Sequence, residues 1–162
     1  MPLPLTDRAA VVRACLDVMR ESEALYLTTL DDDGAPCTRA VFNLRRESQF
    51  PGLRDLFRAG DDSLMVYVST NTSSEKMRQI RRDARVALYY CIPRTFHGVM
   101  LSGRVEEIVD HTVKDRIWQP GWEIYFPTGR RDPDYTILRL RPGRVRGWLG
   151  ERAFDLRLGE DL

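Results

Sequence analysis

Hydrophobic residues recur with helical spacing near the start of the chain. Between residues 6 and 21 the apolar side chains return every three or four positions, at Val11, Val12, Cys15, Leu16, Val18 and Met19. This spacing collects them on one face of a helix. Thr6 is a residue type that caps helix N-termini. The pattern therefore predicts an amphipathic helix over about 6–21.

Short apolar runs of strand length dominate the rest of the chain. Residues 24–30 and 36–44 flank the turn DDDG (31–34), in which Gly34 can take the positive φ that a tight turn requires. These two runs predict an antiparallel hairpin. Later strands are predicted over 64–69, 85–92 and 98–109, followed by a hairpin over 136–150 that turns at Pro142-Gly143.

The order of these elements predicts a mainly β protein with peripheral helices. Short helices around 53–58, 74–82 and 110–118 interrupt strands that follow one another at hairpin spacing. That order favours an antiparallel barrel or sandwich over a doubly wound parallel sheet. The length of 162 residues suits one domain, with the helix about 6–21, a barrel about 24–150 and a short C-terminal tail.

Composition and charge narrow the function classes. The net charge is +1 and the basic residues are interleaved with acidic ones, which does not indicate nucleic acid binding. No signal-peptide core or membrane-length apolar run is present. Cys15, Cys37 and Cys91 lack any CxxC spacing and are interpreted as reduced thiols of a cytoplasmic protein. Because His97 and His111 are the only imidazoles, no protein-built metal site is expected.

The run STNTSSEK (69–76) is the clearest candidate for a binding site. A predicted strand leads into small hydroxyl and amide side chains, and Lys76 falls in the first turn of the next helix. Free N–H groups and the dipole at a helix N-terminus favour an anion, whereas a cation there is mildly unfavourable without one. A phosphate would fit. The alternative is that Ser73 or Ser74 caps the helix while Lys76 lies in water.

Arg39 is a second candidate cation. It lies in the middle of TRAVFNL (38–44), between apolar residues, and a charged residue on a half-buried strand needs a partner. The alternative is that Arg39 faces solvent.

Three stretches together resemble the pyridoxamine 5′-phosphate oxidase-like superfamily, the flavin-binding split β-barrels. TRAVFNL resembles the family's Arg-containing second strand, and STNTSSEK resembles its phosphate-binding loop. LRLRPGRVRGWLG (138–150) resembles the C-terminal hairpin whose tryptophan lies near the flavin. The segment IWQPGWEIYFPTGRRDPDY (117–135) is similar to the general stress protein 26 branch. The resemblance covers about 20–150 and implies a six- to seven-stranded antiparallel split β-barrel of the FMN-binding type.

This resemblance implies a flavin site. Arg39 and Lys76 would hold the FMN phosphate, with hydrogen bonds from Ser74 and Thr70. A pocket built on one phosphate implies FMN rather than FAD. The backbone that edges the isoalloxazine ring and ribityl chain would come from Ala40, Val41, Phe42 and Asn43 and from Val68, Ser69 and Thr70.

The resemblance also implies a homodimer with a flavin at each interface. Trp148 would approach the flavin from the partner subunit. The oxidase has a flavin-contacting glutamine about where Gly98 stands, with His97 beside it.

The implied function is an FMN-dependent oxidoreductase of the general stress type, acting on a small substrate. Pyridoxamine phosphate oxidation is not expected, because the tail ERAFDLRLGEDL (151–162) lacks the histidine of the oxidase's Arg-Leu-His-Asp-Arg segment. Glu75 also replaces the arginine that precedes the oxidase's lysine. The pattern identifies no catalytic residue. The alternatives are a flavin-binding store without turnover, or a split barrel that holds deazaflavin or haem, with His97 or His111 as axial ligand.

The segment 118–134 leaves two interpretations open. Its aromatic side chains form either a lid over the flavin or substrate, or packing for a long connection; they are Trp118, Trp122, Tyr125 and Phe126. Asp132 and Asp134 flank Pro133, which favours a turn over a pair of catalytic carboxylates.

Overall fold

An antiparallel sheet of eight strands organises the computed structural model, which describes residues 7–58 and 64–159. The strands are β1 Leu25–Leu30, β2 Pro36–Val41, β3 Val66–Asn71, β4 Arg85–Ile92, β5 His97–Glu107, β6 Tyr135–Leu140, β7 Arg144–Leu149 and β8 Arg152–Arg157. The helices are α1 Arg8–Glu21, α2 Arg54–Arg58, α3 Glu75–Arg82 and α4 His111–Ile117. The predicted mainly β split barrel is confirmed.

Strand β5 makes the sheet curl, because its two halves pair with different strands. Residues 97–102 pair with β7, whereas residues 105–107 pair with β6. Gly103 lies between the halves, where a Cβ would stand 3.1 Å from Leu140 Cδ1. The sheet order is β2-β1-β4-β5-β6-β3, with β7 and β8 branching from β5.

The predicted hairpin over 136–150 is wrong. Strand β6 pairs with β3 and β5, and β7 pairs with β5 and β8, so the two strands do not pair with each other. The chain crosses from one half of β5 to the other at Pro142-Gly143, where the Gly143 N–H donates to the Ser102 carbonyl at 3.0 Å. The turn residues were recognised correctly, but β5 separates the strands that they connect.

The predicted C-terminal tail contains an additional strand. Residues 152–157 form β8, which gives eight strands instead of six or seven. Gly150 turns the chain with φ +65°, and Phe154 is buried opposite Gly147. A Cβ on Gly147 would lie 3.2 Å from the Phe154 ring and 1.9 Å from the Gly98 carbonyl oxygen, so this close packing requires glycine.

Helix α1 matches its prediction and covers one hydrophobic core. Asp7 is the N-cap, with Oδ1 accepting from the Ala10 N–H at 3.2 Å, whereas Thr6 lies outside the described residues. The buried face of α1 includes Cys15, whose pKa burial raises to about 12. Among the residues that the structure describes, no helix is long and apolar enough to cross a membrane.

A second, aromatic core holds the connection between α4 and β6. Its members include Phe50, Phe57, Trp118, Trp122, Phe126 and Tyr135. Burying one large apolar side chain contributes roughly 1.5–3 kcal/mol. This core therefore fixes residues 118–134 against β3 and β6, where they form one wall of the cleft described below.

Candidate functional site

A cleft of about 680 Å³ opens between β2, the end of β3 and the connection that follows α4. This volume is typical of a small-molecule site. Its polar and charged lining consists of Glu23, Arg39, Arg46, Gln49, Ser69, Thr70, Asn71 and Lys76. Its apolar and aromatic lining consists of Ala24, Ala40, Val41, Phe42, Trp122, Tyr125 and Phe126.

Neutral groups hold the guanidinium of Arg39. Its Nη1 donates to Thr29 Oγ1 at 2.6 Å and to the Cys37 carbonyl at 2.8 Å. Its Nη2 donates to Gln79 Oε1 at 3.2 Å, and the same oxygen accepts from Thr29 Oγ1 at 2.5 Å. Gln79 is 1% exposed. Arg39 is thus half-buried and oriented by the protein, and the alternative that it faces open solvent does not hold.

Lys76 lies close to Arg39 and has no hydrogen bond or ion pair with any residue that the structure describes. Burial is the main cause that lowers the pKa of Lys76, and repulsion by Arg39 adds to it. Asp134 has a weaker, opposing effect. Its carboxylate is already bonded, to Asn71 Nδ2 and the Ser73 N–H, both at 2.7 Å. Two neighbouring cations without a bonded carboxylate form an anion cradle.

Ser74 lies two residues before Lys76 and does not line the cleft. It occupies the N-cap position of α3, but its side chain makes no capping hydrogen bond. Its Oγ is buried and has no partner in the structure. Leaving such a group unpaired costs about 1–3 kcal/mol. The alternative that the Ser74 side chain caps the helix therefore does not hold.

Glu75 does not neutralise the cradle. It is exposed, accepts from Gln79 Nε2 at 3.3 Å and lies 3.6 Å from Arg78 Nη2. It does not line the cleft. The position that departs from the oxidase pattern thus leaves the charge of Lys76 directed at the cleft.

The structure brings together seven of the twelve residues that the sequence suggested. They are Arg39, Ala40, Val41, Phe42, Ser69, Thr70 and Lys76. Val68 points into the first core, and β2 ends at Val41, before Asn43. Asn43 is fully buried, with Nδ2 donating to the Met19 and Ser22 carbonyls at 2.7 and 2.8 Å. The side chains of Val68 and Asn43 are therefore structural.

His97 and Trp148 line a different cavity, on the outer face of the sheet. Trp148 is 56% exposed and pairs in register with Gly98. A Cβ on Gly98 would lie 2.2 Å from the Tyr89 hydroxyl, so Tyr89 occupies the space that a side chain there would need. Within one chain, neither His97 nor Trp148 reaches the cleft.

The segment 118–134 packs as a long connection and also forms a wall of the cleft, whereas its role as a lid stays a prediction. Trp118, Trp122 and Phe126 are buried in the second core, while Tyr125 stays half exposed beside Phe42. Trp122 and Phe126 also line the cleft.

Asp132 and Asp134 are turn residues, as predicted. Asp132 Oδ2 accepts from the Thr128 N–H and hydroxyl at 3.0 and 2.9 Å, and its Oδ1 accepts from the Asp134 N–H at 2.9 Å.

Sequence reasoning missed Glu23, Arg46 and Gln49 as cleft residues. Arg46 and Gln49 lie in a polar stretch without periodicity, so no pattern distinguished them from a surface loop. Within 7–58 and 64–159, no three His, Cys, Asp or Glu side chains are grouped to hold a metal ion.

Comparisons with known proteins identify the family and the fold. The family model described as pyridoxamine 5′-phosphate oxidase matches residues 11–149. No curated protein matches the sequence. A Clostridium acetobutylicum protein related to general stress protein 26 superposes with a TM-score of 0.72 at 24% identity, covering 92% of this chain and 95% of that one. General stress protein 26 from Bacillus anthracis gives 0.68 at 17% identity, covering 91% and 98%.

An FMN-binding relative is also similar. The pyridoxamine 5′-phosphate oxidase-related, FMN-binding protein of Nostoc punctiforme gives a TM-score of 0.54 at 18% identity, covering 93% of this chain and 90% of that one. At these identities the superpositions show a shared fold.

Proposed function

The chain belongs to the pyridoxamine 5′-phosphate oxidase family, and from this premise we propose that it binds FMN in the cleft and acts as an FMN-dependent oxidoreductase on a small substrate. The observation that carries the proposal is the cradle, in which Arg39 and Lys76 face the cleft without a bonded carboxylate. The family includes an FMN-binding relative of the same fold.

The cradle suits a phosphate monoester. A phosphate carries about 1.5 to 2 negative charges near pH 7 and accepts several hydrogen bonds. Arg39 is already oriented, and Lys76 adds an ammonium without a bonded partner among the described residues. The hydrogen bond expected from Ser74 would require its buried hydroxyl to become accessible. Among the described residues that line the cleft, no second pair of cations adjoins these two, which favours FMN over FAD.

The remainder of the cofactor would lie along the strand edges. Residues 40–42 of the β2 edge and Ser69 and Thr70 of β3 form two sides of the cleft, with Trp122 on the third. Bound FMN supplies the redox chemistry, while the protein positions it and sets its electrostatic surroundings.

The experiment that tests this proposal is a visible absorption spectrum of the purified protein before and after adding FMN. We expect a bound-flavin spectrum, and we expect the double variant Arg39→Ala with Lys76→Ala to lose it while keeping its circular dichroism. Arg104→Ala is the control, because Arg104 is an exposed arginine outside the cleft. Equal FMN affinity in both variants would contradict the phosphate assignment.

We also propose a homodimer that uses the outer face of the sheet. In register, Ala40 pairs with Tyr26 and Tyr26 with Tyr89, so one row of side chains runs from the cleft to the cavity around Trp148. Tyr26, Tyr89 and Trp148 are all exposed there. A second copy packed on this face would bring the partner's Trp148 towards the cleft. Sedimentation should give a dimer; a monomer that keeps FMN would contradict this arrangement.

A flavin-binding protein without turnover is the second candidate. Glu23 is the one carboxylate, and no histidine occurs, among the cleft residues that the structure describes. This sparse acid–base equipment favours a store. Reduction of the bound flavin by a nicotinamide donor, followed by reoxidation with an acceptor, would support the enzyme; flavin inert to both would support the store.

Haem binding in the cleft would need an axial ligand, and the described cleft lining contains no imidazole. Neither His97 nor His111 could be an axial ligand in this cleft within one chain. A deazaflavin would use the same cradle through its phosphate, and mass analysis of the released ligand separates it from FMN.

A further inference from the structure

The cleft has a second charged end, away from the cradle. Arg39 pairs in register with Leu27, whereas Val41 pairs with Leu25. The residues that precede Leu25 and those that follow Val41 therefore lie away from Arg39. The cleft residues Glu23, Arg46 and Gln49 belong to that end. At about 3.3 Å per strand residue, Phe42 alone is roughly 10 Å along the strand from Arg39.

Hydrogen bonds fix the backbone of Arg46, whereas its side chain has no bonded partner among the described residues. Its N–H donates to the Asn43 carbonyl at 3.0 Å, and its own carbonyl accepts from Gln49 and Phe50 at 3.0 and 2.8 Å. Its guanidinium has no hydrogen bond or ion pair with any described residue. Nearby Arg54 contrasts with it, since its Nη2 binds Glu47 at 2.7 Å. A half-buried arginine at a fixed place in a cleft, with no carboxylate bound, is available to a ligand.

Aromatic rings surround this end. Phe42 stacks on Trp122, with centroids 6.0 Å apart and planes at 12°, and the Tyr125 ring lies 6.0 Å from Phe42. Tyr125 is 50% exposed, so part of its ring is uncovered. Exposed aromatic surface beside a fixed cation is suited to a ring that carries a negative group, because the ring packs against the wall while the anion meets the guanidinium.

Glu23 lowers the anion affinity of this end of the cleft but does not neutralise Arg46. It lines the same part of the cleft, and no ion pair joins it to Arg46. A carboxylate near the subsite weakens anion binding by repulsion. Neutralising Glu23 and neutralising Arg46 should therefore change anion affinity in opposite directions.

We propose that Arg46 and Gln49 form a subsite for the carboxylate of an aromatic acid, whose ring packs on Phe42 and Tyr125. This inference rests on the proposed function, because FMN that lies from the cradle along the backbone edge of residues 40–42 would leave the rings of Phe42 and Tyr125 to the substrate. Gln49 is exposed and lines the cleft, and its amide can donate to the carboxylate. The substrate class is thus a small aromatic carboxylic acid.

The test is calorimetric binding of benzoate to the full-length protein, both with and without FMN. We expect Arg46→Gln to weaken benzoate binding about tenfold, since hydrogen bonds to charged groups contribute about 1.5–3 kcal/mol. Glu23→Gln should tighten it about twofold. Arg94→Gln is the matched control, because Arg94 is an exposed arginine in the adjoining groove and does not line the cleft. Benzamide, the neutral analogue, should bind wild type no better than it binds Arg46→Gln.

The outcomes separate this inference from the proposed function. Wild type that fails to bind FMN but binds benzoate through Arg46 would overturn the flavin proposal and leave the subsite standing. Wild type that binds FMN but shows no benzoate binding, or equal binding in Arg46→Gln and Arg94→Gln, would overturn the subsite. Benzoate binding lost in Lys76→Ala but kept in Arg46→Gln would place the anion in the cradle and also overturn it. A shift of the flavin potential in Arg46→Gln without any change in benzoate affinity would assign Arg46 to the flavin instead.

Discussion

The two sides of helix α3 treat positive charge in opposite ways. On the outer side, Arg78 and Arg82 both bind Asp32 and Arg81 binds Glu107, at 2.5–2.8 Å. On the inner side, Lys76 has no bonded carboxylate, and the buried Gln79 holds Arg39 through a neutral oxygen.

This difference separates stabilising charge from binding charge. Exposed ion pairs such as those of Asp32 contribute little to stability, because solvent screens them. The inner pair of cations opposes folding through burial and mutual repulsion. A bound anion would offset this cost. Each change described next alters one side of the helix and leaves the other side intact.

The largest effect is expected from Gln79→Glu. A carboxylate in place of the buried amide would form an ion pair with Arg39 and neutralise half of the cradle. We expect FMN affinity to fall about a hundredfold, equivalent to two charge-assisted hydrogen bonds. Gln79→Leu removes the contact that positions Arg39 but adds no charge, so the FMN affinity of this variant should fall only about tenfold. Fluorescence titration with FMN measures both, and equal losses in the two variants would mean that Gln79 acts only by packing.

A smaller effect is expected from pH. Phosphate binding needs the protonated ammonium of Lys76, whose pKa lies below the ordinary 10.5. FMN affinity should therefore fall as the pH rises towards 10.5, by up to about tenfold for one charged contact. Lys76→Arg keeps its charge over this range, so its FMN affinity should stay flat. A wild-type profile as flat as that of the variant would show that Lys76 does not contact the anion.

Lys76→Met should stabilise the ligand-free protein slightly while weakening FMN binding. The pKa of Lys76 is lower in the folded state, so the unfolded chain binds this proton more tightly and the charge opposes folding below that pKa. This unfavourable contribution to folding disappears as the pH rises to 10.5, the ordinary pKa of lysine in the unfolded chain. After allowance for solvent screening, we expect a gain of about 0.5 kcal/mol at pH 7 in urea unfolding. A loss of stability would mean that the packing of the aliphatic stem outweighs its charge.

The smallest effect is expected on the outer side. Asp32→Asn removes the partner of Arg78 and Arg82, all of them exposed. We expect the melting temperature to fall by about 1–2 °C. FMN affinity should not change, because the substitution leaves Lys76, Gln79 and Arg39 in place. A marked loss of FMN binding in Asp32→Asn would show that the two sides of α3 are coupled.

Much of the site could be predicted because its residues are neighbours along the chain. The hydroxyl-rich loop and Lys76 follow one strand directly, and Arg39 lies mid-strand between apolar residues, so local context was sufficient. Arg46 could not be found in this way, because its availability depends on Glu47 binding Arg20 and Arg54 and leaving it free. The contributions predicted for His97 and Trp148 remain predictions that depend on a second subunit.

The sequence alone determined the local elements of this protein: helix α1, the turn at Gly34, the alternating strands and the loop that carries Lys76. These follow from periodicity and from the backbone preferences of single residues, which act over a few positions. Only the tertiary structure decided that β5 separates β6 from β7, that Glu75 lies outside the cleft lining, and which arginines lack a carboxylate partner. Those outcomes depend on which distant side chains meet, because strand pairing and ion pairing are made between segments far apart in the chain.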